Sequence, residues 1–129
     1  MAAAPPQKHT QLLRAQLRIM LGEEIAFGPG KADVLEAIRE TGSISAAGKK
    51  LGMSYRRTWL LVDTMNRCFQ QPLVETAKGG AQGGGTQLSE VGLQVLQQYR
   101  ALQAEVALIT AKHFSDWQPL LRKKPLSAE

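Results

Sequence analysis

GSISAAGKKLGMSYRRTWLLVDTMN, residues Gly42 to Asn66, divides into a short helix, a tight turn and a second helix, the pattern of a helix-turn-helix. Ala46, Ala47 and Gly48 are small where the second helix must cross the first, and Ile44 and Leu51 supply an apolar face. Gly52 ends the first helix, because glycine tolerates the left-handed conformation found there. Ser54 is placed to cap the second by accepting a hydrogen bond from an orphan backbone N–H. That recognition helix is expected from Tyr55. Its inward face is predicted as Tyr55, Trp59, Val62 and Met65, leaving Arg56 and Arg57 outward at the end that touches base edges. Tyr55 has two readings, packing inward or also reaching a phosphate with its hydroxyl.

The chain has 129 residues and a formal charge of +5, enough for one domain with a single core. From Ser43 to Gly80 the positive residues Lys49, Lys50, Arg56, Arg57, Arg67 and Lys78 face only Asp63 and Glu75, a net of +4. Charge therefore sits with the motif, where it raises the potential met by a docking polyanion. A merely solvated basic face is the alternative. No apolar run approaches a membrane span of about 18 residues. The N-terminus lacks a signal-like apolar region, and the single Cys68 has no internal disulfide partner, so a cytoplasmic protein is expected.

Around the motif, residues 1–13 read as a flexible tail and 14–114 as the domain. Leu17, Ile19 and Leu21 alternate with Arg18 and Met20, Gly22-Glu23-Glu24 can turn, and Ile25 and Phe27 resume the alternation, which predicts a β-hairpin. A first helix is expected from about Lys31 to Thr41, with Val34, Leu35 and Ile38 as its apolar stripe and Gly42 at its end. After the helix-turn-helix, Pro72 blocks further helix and Leu73-Val74-Glu75-Thr76 reads as a strand. The tract Gly79-Gly80-Ala81-Gln82-Gly83-Gly84-Gly85 interrupts before Thr86-Gln87-Leu88 returns. Such a hairpin behind a helix-turn-helix is a wing, and its glycines leave the backbone free to approach a phosphate or minor groove. An idle loop is the competing reading. A nucleotide-binding P-loop is excluded because Gly85 is followed by Thr86-Gln87 instead of Lys and Ser or Thr.

A long helix is expected over about 89–114, with Ser89 as its cap. Val95, Tyr99, Leu102, Val106 and Ile109 recur at spacings of four and three, a seam for a partner helix or for the chain's own core. Residues 115–129 read as a second flexible tail. Catalysis finds no support: His9 and His113 lie at opposite ends, Cys68 has no histidine near it in sequence, and no metal-ligand spacing occurs. No catalytic residue, metal or cofactor is expected. The competing function is a winged-helix protein-interaction module, using Leu60 and Leu61 as an apolar patch, or a DNA-binding subunit that works with a separate effector protein.

From Gly28 to Gly92 the sequence resembles the N-terminal DNA-binding domain of ModE-type molybdate-responsive regulators, whose winged helix is related to that of LysR-type regulators. The likeness lies in Gly42-Ser43-Ile44-Ser45, Ser54-Tyr55, Trp59, Met65-Asn66, Leu73-Val74-Glu75 with the glycine tract, and Leu88-Ser89-Glu90-Val91-Gly92. The order of hairpin, helices, wing and long helix matches as well. The resemblance implies a mostly α fold with small β elements, a winged helix-turn-helix with an N-terminal β-hairpin and a long C-terminal dimerisation helix. It implies a homodimer, through Val95, Tyr99, Leu102, Val106 and Ile109, on palindromic double-stranded DNA. DNA contacts are expected from Ser43, Ser45, Ser54, Tyr55, Arg56 and Arg57, and in the wing from Lys78, Gly79, Gly80, Gln82 and Gly84. Members of the family continue into oxyanion-binding domains. No strand-rich segment follows here, so molybdate binding is not expected of these residues.

Overall fold

The computed structural model describes residues 12–76 and 85–128. In chain order the elements are β1 (Ile19–Leu21), β2 (Glu24–Phe27), α1 (Pro29–Thr41), α2 (Ile44–Leu51), α3 (Tyr55–Cys68), β3 (Val74–Thr76), β4 (Thr86–Leu88) and α4 (Glu90–Trp117), followed by a 3-10 turn at Gln118–Leu120. Each strand pair forms a two-stranded antiparallel hairpin. Helix, helix-turn-helix, hairpin, helix is the winged-helix order. Contacts divide the chain into one unit at Gln16–Leu102 and a second made of its two ends. The fold described next is that of the Gln16–Leu102 unit.

The first hairpin departs from strict alternation. Ile19 pairs with Phe27 but Met20 with Ile25, so Ala26 is an extra residue on β2. Such a bulge twists the strand and breaks the two-residue period. Ala26 and Phe27 are consequently both buried, whereas Ile19, Met20 and Leu21, of which Ile19 and Leu21 were expected to share a face, are all exposed. Leu17 is half-buried, and its carbonyl accepts a 2.7 Å hydrogen bond from the Tyr99 hydroxyl.

Helix α1 begins at Pro29, ahead of the expected Lys31. Proline suits the first helical position because its fixed φ is already helical and its missing N–H would have no partner there. Val34, Leu35 and Ile38 are fully buried, and Ala32 and Ala37 join them. At the far end Gly42 adopts φ 72° and donates its N–H to Ile38 O at 2.7 Å. The core closes around Phe27, whose ring meets Tyr99 edge-on at 5.0 Å and Phe69 edge-on at 6.2 Å. Arg100 on α4 reaches Asp33 and Glu36 on α1, each at 3.0 Å. These pairs are partly solvated, so they fix orientation more than they stabilise.

Helix α4 starts on Ser89, whose hydroxyl accepts from Gly92 N at 2.9 Å and donates to Pro72 O at 2.7 Å. A Cβ built on Gly92 would lie 2.2 Å from Leu73 O, so only glycine lets α4 dock this closely on the wing's base. In the second unit the helix continues to Trp117, past the expected end at Phe114, and the 3-10 turn follows. No described helix is long and apolar enough to cross a membrane.

Candidate nucleic-acid interface

Two serines begin the two helices of the motif. Ser43 Oγ accepts from Ala46 N at 3.0 Å, and Ser54 Oγ accepts from Arg57 N at 3.1 Å. Between them Gly52 adopts φ 70° and ends α2. Each capping hydroxyl satisfies a backbone donor that the helix leaves orphaned, typically worth about 1 kcal/mol. The serines thus set where the helices start, and Ser45 is exposed on the first turn of α2.

The rotation of α3 about its axis differs from the sequence expectation. Val62 and Met65 are buried as predicted, but Tyr55 is 58% exposed and Trp59 45% exposed. The inward position in that turn belongs to Thr58, which is fully buried. The reason is steric. At the crossing with α2, a Cβ on Gly48 would approach Thr58 Oγ1 to 2.6 Å, so the gap admits threonine and has no room for an indole. Thr58 pairs its buried hydroxyl locally, donating to Ser54 O at 2.8 Å. Sequence held a signal for this: a threonine four residues after a cap, opposite a glycine, is placed to bond back to the preceding turn.

Turned this way, α3 exposes two adjacent pairs that form a broad stripe, Tyr55 with Trp59 and Arg56 with Leu60, because residues four apart lie one above the other on a helix. Arg57 is exposed on the other flank. Arg56 and Arg57 form no ion pair among the described residues. Two other cations of the basic segment, Lys50 and Arg67, are engaged, whereas Lys49 forms no ion pair among the described residues. Lys50 pairs with Glu40. Arg67 bonds Asp63 at 3.0 Å and lies 3.7 Å from Glu24, and the Asp63 hydrogen bond holds its guanidinium pKa above the ordinary value. Among the described residues of the basic segment, the uncompensated charges are therefore Arg56 and Arg57 at the N-terminal end of α3, and Lys49 on α2.

The wing's base is held at several points. Val74 pairs with Leu88, Glu75 with Gln87 and Thr76 with Thr86. Thr86 N donates to Gly42 O at 2.9 Å, which ties β4 to the α1–α2 corner. Gly85 makes that approach possible, because a Cβ there would lie 2.9 Å from the same oxygen. Asn66 secures the other strand, accepting from Leu73 N at 2.9 Å and donating to Val74 O at 3.0 Å. Recognition helix and wing are thus linked through Asn66, whose positioning role was not read from the sequence. The proposed wing contacts Lys78, Gly79, Gly80, Gln82 and Gly84 lie outside the described residues.

The expected seam on α4 is divided. Tyr99 is 2% exposed and belongs to the chain's own core against Phe27, so it is unavailable to a partner helix. Val95 is half-buried against the same core. Leu102 and Ile109 are exposed and Val106 is half-buried. Spacing alone missed the distinction, because one stripe of α4 serves the core in its first turns.

No protein-family profile matches the chain. Sequence comparison finds the molybdenum transport protein ModE of Azotobacter vinelandii, 47% identical over 80 residues, 62% of this chain and 30% of the relative. The molybdenum-pterin-binding protein MopB of Rhodobacter capsulatus is 41% identical over 81 residues, 63% of this chain and 30% of its own length. The DNA-binding transcriptional dual regulator ModE of Escherichia coli K12 is 35% identical over 86 residues, 67% of this chain and 33% of its own. Matched residues thus span about a third of these curated relatives. A LysR family transcriptional regulator of known structure aligns over 60% of this chain and 25% of its own, with TM-score 0.48 and 17% identity. Over the matched segment the chain is thus 34–47% identical to the N-terminal third of proteins named ModE.

Proposed function

We propose that the protein is a sequence-specific DNA-binding transcription regulator of the ModE type, acting in the cytoplasm as a homodimer on a palindromic site. The observation that carries this is the N-terminal end of α3. A serine-capped helix there exposes Arg56 and Arg57 with no carboxylate paired to either among the described residues. In a winged helix this end enters the major groove, where arginine reads guanine O6 and N7. Ser43, Ser45 and Ser54 border it and supply phosphate contacts, and Tyr55 beside them also faces the DNA. The wing, with Lys78, Gly79, Gly80, Gln82 and Gly84, follows the backbone or minor groove. Leu102, Val106 and Ile109 form the dimer seam on α4. Regulation, not catalysis, is the activity, and no molybdate site is assigned to these residues.

The exposed ring of Trp59 beside Leu60 favours a second reading, a surface for another protein. Titration against random-sequence duplex at several salt concentrations separates the two. DNA binding requires log K to fall linearly with log salt, with a slope near −0.9 per neutralised phosphate. A flat salt response, or no binding, would reject the DNA reading.

A further inference from the structure

The face that α3 turns to solvent is largely uncharged. Tyr55 is 58% exposed, and Trp59 and Leu60 are each 45% exposed, with Arg56 among them. None is needed by the core, which takes Thr58, Val62 and Met65 instead. Asp63, one turn farther along, is bound to Arg67 at 3.0 Å, so its charge does not oppose a polyanion. Arg57 on the flank of α3 and Lys49 on the neighbouring α2 are both exposed and available to phosphates. Cations around an apolar strip complement a groove walled by phosphates with an apolar feature on its floor. In the major groove that feature is the thymine C5 methyl, the apolar group by which base pairs there are distinguished.

We infer that Trp59, with Tyr55 and Leu60, reads thymine through its 5-methyl group, so that specificity at these positions is apolar contact in place of hydrogen bonding. This rests on the DNA-binding reading proposed above. Each half-site then holds thymine next to the base pair contacted by Arg56. Trp59 is a specificity-determining residue in this arrangement, and the fold does not depend on it.

The test uses the full chain and the tightest duplex recovered by selection from a random library. Thymines are replaced one at a time by deoxyuridine, which removes the methyl and leaves pairing and charge unchanged. At one or more positions in each half-site affinity should fall about fourfold, the equivalent of about 0.8 kcal/mol for one buried methyl group. Trp59→Ala, Tyr55→Ala or Leu60→Ala should abolish that discrimination at its own position while the melting temperature is kept. Salt-sensitive binding with no loss at any deoxyuridine overturns the inference and leaves DNA binding standing. Equal deoxyuridine sensitivity in all three variants also overturns it, as does unchanged affinity of the variants, the result expected if the strip docks a protein. Failure to bind any duplex would instead reject DNA binding itself. The deoxyuridine series needs no protein variant, so it decides the matter even if one of them is unstable.

Discussion

Replacing Gly48 with alanine tests the helix crossing on which the direction of α3 depends. The new Cβ would stand 2.6 Å from Thr58 Oγ1 and 3.1 Å from Met53 O, against 3.4 Å at the near edge of ordinary contact. Thr58 cannot rotate away freely: its side chain is fully buried, β-branched and bonded to Ser54 O. Overpacking of this kind costs roughly 1–3 kcal/mol, while replacing glycine inside a helix returns about 1 kcal/mol. The net loss is then about 1 kcal/mol, or a melting temperature lower by roughly 4–8 °C for a domain of this size. Thr58→Ala alone should also destabilise, by about 1 kcal/mol or somewhat more, through its lost buried hydrogen bond and methyl. In the double variant the 2.6 Å contact disappears. The two losses should therefore fall short of adding, by about 1 kcal/mol or more. Thermal and urea melts of the four proteins measure this coupling. Strict additivity would mean that Thr58 does not face Gly48, and the assigned rotation of α3 would be wrong.

Arg56→Ala and Arg57→Ala should leave melting unchanged, and whichever arginine holds a guanine should lose about 1–3 kcal/mol of selected-site affinity with relaxed preference at one position per half-site; two variants binding like wild type would remove the recognition role. Leu102→Lys with Val106→Lys should yield a folded monomer by sedimentation and circular dichroism that has lost most operator affinity, because half-sites about 34–36 Å apart require two linked recognition helices; an unaltered dimer would remove α4 from the interface. Burial raises the Tyr99 hydroxyl pKa above its ordinary 10.0. The folded state therefore holds that proton more tightly, and the stabilisation is complete below about pH 10 and lost as pH rises through the raised value. Tyr99→Phe should be less stable at neutral pH, having lost the bond to Leu17 O, and should decline less steeply at alkaline pH in urea melts; parallel decline of both proteins would refute this.

Much of this architecture is local, and local chemistry can be read from a sequence. Gly42, Gly52, Ser43 and Ser54 mark helix ends because a left-handed cap or a hydroxyl acceptor is a property of one residue and its near neighbours. Helix α3 starts at Tyr55 for that reason, and Pro72 separates α3 from the wing in the same way. Periodicity also gave α1 its buried Val34, Leu35 and Ile38. It could not assign the rotation of α3, since an apolar stripe through Tyr55 and Trp59 satisfies a helical repeat as well as one through Thr58. The choice was made by the depth of the gap at Gly48, a distance between two helices. The same holds for Tyr99, whose place in a seam or in the core depends on Phe27 and the Leu17 carbonyl reaching it from the opposite end of the domain. Ile19 and Leu21 lost their buried face to a bulge at Ala26, set by how β2 settles on the core. Each of these outcomes depends on shape complementarity between segments far apart in the chain, whereas caps and turns depend on the backbone within a few residues.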